Sequence, residues 1–120
     1  MYNCGGALKT LIDNIAKWRE HQGFISGWGN VPEKLMLTVT EISEAMEAYR
    51  MIPLEQTCSC STRPTCAADN RFLVNFREEL ADTAIRLFDI ASSCNIDLEA
   101  EIERKMLINE ERPHKHGKTC

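Results

Sequence analysis

Residues 31–50, VPEKLMLTVTEISEAMEAYR, and residues 70–93, NRFLVNFREELADTAIRLFDIASS, decide the fold. In the first, Leu35, Val39, Ile42, Met46 and Tyr49 fall within one narrow arc if each residue turns by about 100°. This predicts a helix over about Val31–Arg50 with that stripe against a core. Pro32 suits its first turn, where a missing N–H leaves nothing unpaired. In the second stretch Leu73, Phe76, Leu80, Ala84, Leu87 and Ala91 line one side of another helix. Each helix also bears two acids three residues apart, Glu41 with Glu44 and Glu79 with Asp82, so each pair leaves from one helical face and the two pairs can meet across a bundle.

Outward from these helices, Leu8, Leu11, Ile12, Ile15 and Trp18 recur at helical spacing and predict a first helix over about 6–21, with Trp18 in its apolar stripe. The segment GFISGWGN follows as a loop. Between the two acid-bearing helices, MIPLEQTCSCSTRPTCAADN holds two prolines and no periodicity, which predicts a long loop. After residue 93, Asn95 is a plausible terminator, and Asp97 can cap a fourth helix from near Leu98 that ends before Pro113, with Glu99 and Glu101 well placed at its positive end. The tail PHKHGKTC is basic and aperiodic, as flexible ends are.

With 120 residues the chain suits one domain. An apolar fraction of 43% and a charged fraction of 27% are those of a soluble globular protein, and no apolar run reaches the roughly 18 residues of a membrane span. The first residues lack a signal-peptide pattern, so a cytoplasmic protein is expected. A net charge of −4 and no basic stripe before the last residues speak against a nucleic-acid partner. Cys4, Cys94 and Cys120 are scattered, and reduced thiols are expected. Cys58, Cys60 and Cys66 form a Cys-x-Cys-x₅-Cys cluster in the long loop. Its spacing is not that of a common zinc module, and zinc, a disulfide and free thiols are its three readings.

Four carboxylates on facing helices, with no Glu-x-x-His pattern, suit a hard cation, magnesium first and manganese as a substitute, rather than a di-iron centre. Charged residues on helices usually sit in solvent. The face of Glu41 and Glu44, however, also carries Leu37, Ala45 and Ala48, opposite the main stripe, so the helix is expected to be buried on two sides, and acids there need neutralising partners. On the other helix Arg86 and Asp89 share the face of Glu79 and Asp82, and an exposed ladder of ion pairs accounts for that face equally well.

TEISEAMEAYR and EELADTAIRLFDI resemble the Glu-x-x-Glu and Glu-x-x-Asp motifs of the MazG-like, all-α nucleotide pyrophosphohydrolase superfamily, in the same order and separated by a loop. The ending NEERPHKHGK is similar to the tail of single-domain members. The resemblance implies an all-α, four-helix domain over 1–120, with a variable loop near 52–69 and a basic tail at 113–120. A homodimer or homotetramer would complete the bundle. It also implies hydrolysis of a nucleoside triphosphate, deoxy or non-standard ones included, to a monophosphate and pyrophosphate in nucleotide-pool house-cleaning. Glu41, Glu44, Glu79 and Asp82 would hold magnesium, which bridges phosphate oxygens and helps activate water. Some members carry a glutamate just before the first motif acid. This chain has Thr40 there, with Glu47 as an outer substitute or simply an exposed glutamate.

The triphosphate would be met by Lys34, Lys105, Asn109, Arg112, Lys115 and Lys118, which are otherwise surface and helix-end groups. Relatives build part of the nucleotide pocket from the region of Trp18, His21, Trp28 and Asn30. Trp28 is the better candidate for stacking on a base because periodicity does not explain it, while Trp18 fits the core and His21 a helix end. Two rival functions remain: a non-catalytic helical interaction module whose acids form ion pairs, and a nucleotide sensor that binds without turnover for want of a base.

Overall fold

The computed structural model describes residues 6–24, 26–52 and 71–113. Four helices follow in order: α1 (Ala7–His21), α2 (Val31–Arg50), α3 (Arg71–Ser93) and α4 (Leu98–Glu110), with a short 3₁₀ turn at Trp28–Asn30 leading into α2. No strand occurs among the described residues, so the protein is all-α. The long connection and its cysteines Cys58, Cys60 and Cys66 lie outside them, as do Lys115 and Lys118.

Local chemistry accounts for the ends. Gly23 has φ 77°, a left-handed conformation open to a residue without Cβ, and it follows α1 directly. The side chain of Asn30 accepts from the Gly27 N–H at 3.1 Å, and Pro32 lies in the first turn of α2. Asn95 takes φ 55° beyond α3, while Asp97 Oδ1 accepts from the Ala100 N–H at 3.1 Å to cap α4.

α2 packs most extensively on α3, and α1 also lies on α3. The α2–α3 pair is antiparallel: Lys34 meets Asp89, Glu41 meets Arg86, and the rings of Tyr49 and Phe76 stand 6.0 Å apart. Among the described residues the buried apolar ones are few, Ile12 and Ile15 of α1, Ala45, Ile52, Ala91 and Cys94. α4 stands nearly apart, with no buried residue.

The stripe expected in the core is not there. Leu35, Val39, Ile42, Met46 and Tyr49 are 47–52% exposed, and α2 instead buries Thr38, Glu41 and Ala45. The cause is competition between two faces: α3 covers only one side of α2, and that side carries the small residues and the acid with a cationic partner on α3. On α3 itself, Leu80 and Leu87 are 51% and 44% exposed while Ala91 is buried. Trp18 also departs from its expected core position, being 54% exposed.

Candidate metal centre and cleft

The small face of α2 lets α3 approach closely, and the acids of both helices come together at the contact. One carboxylate oxygen each from Glu41, Glu79 and Asp82 lie within 4.8 Å of one another. Glu41 is buried, Glu79 half-buried and Asp82 exposed. Burial raises the pKa of Glu79 from 4.5 to about 7, helped by a hydrogen bond with Glu41 and by the negative charges of Glu44, Glu41 and Asp82. Its Oε2 is buried without a hydrogen-bond partner. An orphaned carboxylate oxygen amid other carboxylates is costly unless a cation or proton answers it.

This donor set fits a hard divalent cation. Magnesium takes oxygens at about 2.0–2.1 Å, so ligands on its opposite sides stand about 4.2 Å apart, a span compatible with three oxygens within 4.8 Å of one another. Glu44 is exposed and outside the three-oxygen set, although its charge acts on Glu79. Glu47 is exposed as well, and the Thr40 hydroxyl donates to the Met36 carbonyl at 3.2 Å.

Beside the acids opens a cleft of about 650 Å³, within the usual size range of small-molecule sites. Glu41 and Asp82 line it together with Glu33 and Asp89, and Arg86, Arg19 and Lys34 supply cations among these acids. Trp18 and Phe24, with ring centres 6.0 Å apart and planes tilted by 42°, add an aromatic side.

Each of these cations is held by an acid from another helix. Arg19 Nη1 donates to Asp89 Oδ1 at 2.6 Å, and Lys34 Nζ donates to Asp89 Oδ2 and to the Ser26 hydroxyl. Arg86 Nε donates to Glu41 Oε1 at 2.5 Å. Arg86 and Asp89 thus reach across to α1 and α2, which overturns the exposed ladder along α3 as the account of their face.

Of the expected substrate groups, Lys34 and Asn30 line the cleft. His21 and Trp28 are exposed and outside its lining, as are Lys105, Asn109 and Arg112. Arg19, Phe24 and the bridging role of Asp89 were not foreseen. Arg19 had left a signal: it lies four residues after Ile15 and seven after Ile12, so it shares the buried face of α1, where a charge must have a partner.

No protein-family model matches the chain, nor does any curated protein or solved structure. No helix among the described residues is long and apolar enough to cross a membrane.

Proposed function

We propose that the protein is a magnesium-dependent nucleoside triphosphate pyrophosphohydrolase, releasing pyrophosphate and a nucleoside monophosphate. The observation that carries this reading is the convergence of Glu41, Glu79 and Asp82, with the Glu79 Oε2 unpartnered, next to a cleft lined by both acids and cations. The MazG-like motifs and tail in the sequence support the same reading. In this account Glu41, Glu79 and Asp82, joined by Glu44, hold magnesium, with manganese as substitute. When bound, the ion supplies positive charge to phosphate oxygens and makes a water more acidic.

The chain's own residues then position and neutralise the substrate. A water oxygen forms a bond to the α-phosphorus and gives up one proton to solvent, the bond from that phosphorus to the bridging oxygen breaks, and pyrophosphate leaves with the electron pair. Lys34, which lines the cleft, draws the phosphates towards the acids, and Trp18 and Phe24 offer faces for a base. Lys105, Asn109, Arg112, Lys115 and Lys118 belong to the proposal through the resemblance of the helix-four end and tail. A cytoplasmic setting suits this chemistry, with thiols kept reduced. The half-exposed stripe of α2 favours a homodimer or homotetramer, since contiguous apolar patches mark interaction surfaces.

The test is a screen of ordinary, deoxy and damaged nucleoside triphosphates with magnesium, separating pyrophosphate from orthophosphate. Pyrophosphate is the expected product, and orthophosphate as the primary product overturns the reading. Thr40, whose hydroxyl is turned to its own helix, favours a second reading, a sensor that binds nucleotide without turnover. Tight binding with no product from any triphosphate would establish it.

A further inference from the structure

Arg86 and Glu41 form an ion pair between one half-exposed and one buried partner. The side chain of Arg86 is 38% exposed against 11% for Glu41, and both line the cleft. Arg86 also lies one helical turn beyond Asp82 on α3, so it borders the three-carboxylate set without belonging to it. Glu41 therefore has two claims on one carboxylate: the guanidinium of Arg86 and the cluster with Glu79 and Asp82.

We propose that Arg86 is a phosphate ligand released by the metal: it neutralises Glu41 in the metal-free protein and turns to the polyphosphate once a divalent cation occupies the acids. The inference rests on the metal-site reading above. A doubly charged ion at Glu41 removes the attraction that holds the guanidinium there and adds repulsion at short range. Arg86 has somewhere to go, because its half-exposed side chain already borders the cleft. Arg19 does not, since its side chain is only 10% exposed and is fastened to Asp89. A guanidinium freed at that point presents planar paired donors to phosphate oxygens, which a lysine ammonium does not. Metal and polyphosphate should accordingly reinforce each other's binding, and by linkage the effect is reciprocal.

The test measures binding, with no turnover involved. Manganese alone is titrated by electron paramagnetic resonance into wild type, Arg86→Gln and Arg86→Lys, and inorganic pyrophosphate is then titrated by calorimetry at saturating manganese. Arg86→Gln should bind manganese more tightly, by roughly threefold or more, because a competing cation is gone, and pyrophosphate roughly tenfold more weakly. Arg86→Lys keeps the charge, so its manganese affinity should stay near wild type while pyrophosphate still binds less tightly. It also serves as the test if Arg86→Gln does not fold. Weaker manganese binding in Arg86→Gln, or unchanged pyrophosphate binding in the variants, overturns the proposal and leaves Arg86 as a fixed support of Glu41. Wild type that binds no manganese removes the metal site itself, and this inference with it.

Discussion

Arg19 of α1 reaches Asp89 of α3 at 2.6 Å across 70 residues of chain, and Lys34 of α2 ends on the other oxygen of the same carboxylate. One acid thus joins three helices. All three side chains are at most 17% exposed, and two cations depend on a single anion.

Asp89→Asn should therefore destabilise the fold whether or not metal is present. Stranding buried cations costs about 3 kcal/mol, more than ordinary surface substitutions. Denaturant unfolding in chelator checks it. A loss below about 1 kcal/mol would mean that water reaches the cluster and screens it.

Asp82→Asn should do the reverse. With no cation, removing one of several mutually repelling carboxylates leaves the protein equally stable or more so. Wild type should gain about 2.7 kcal/mol at a magnesium concentration a hundred times its dissociation constant, and the variant should lose most of that gain. Thermal unfolding with magnesium and with chelator separates the two states. Marked destabilisation of the variant in chelator, together with normal hydrolysis, would identify the acids as structural ion-pair partners.

The position of Glu79 gives metal binding a pH signature. With its pKa raised from 4.5 to about 7, the folded chain holds a proton that the unfolded chain has lost anywhere between those values. Stability from this group consequently falls as pH rises through that window, and the deficit is complete above about pH 7. A metal ligand must be deprotonated, so binding should release close to one proton near pH 6 and almost none near pH 8. Calorimetry in two buffers of different ionisation enthalpy counts the protons. Equal heats in both buffers near pH 6 would show that Glu79 does not titrate with the metal.

Ile42→Asp tests the outward stripe of α2. Ile42 is 52% exposed in the single chain, so a charge there is accepted by the monomer but not by an apolar contact between copies. Wild type should sediment as a dimer or tetramer and the variant as a folded monomer. A wild-type monomer at high concentration refutes the assembly.

Helical periodicity was enough to locate all four helices, because caps and breakers such as Pro32, Asn95 and Asp97 act locally and are visible in a few residues. The equal spacing of the two acid pairs allowed all four carboxylates to meet; Glu41, Glu79 and Asp82 come together, while Glu44 stays outside that set. Periodicity did not reveal which face of α2 turns inward, since both faces are apolar in part and the choice depends on what α3 offers. The partners of Arg86 and Asp89 were hidden for the same reason: a charged row along one helix looks alike whether it pairs with itself or with neighbours. Arg19 could have been singled out from its place on the line of Ile12 and Ile15. Its partner could not.

α4 has Ile102, Met106 and Leu107 at 40–62% exposure and nothing buried to hold it. A 13-residue helix on its own is marginal in water, even with the Asp97 cap and the Arg104–Glu101 pair at 2.7 Å. Its amide hydrogens should therefore exchange with solvent at nearly the rate of an open chain in dilute protein, while those of α2 and α3 are retained. If copies associate through this segment, the same amides become slow as concentration rises, and α4 serves as a built-in reporter of assembly.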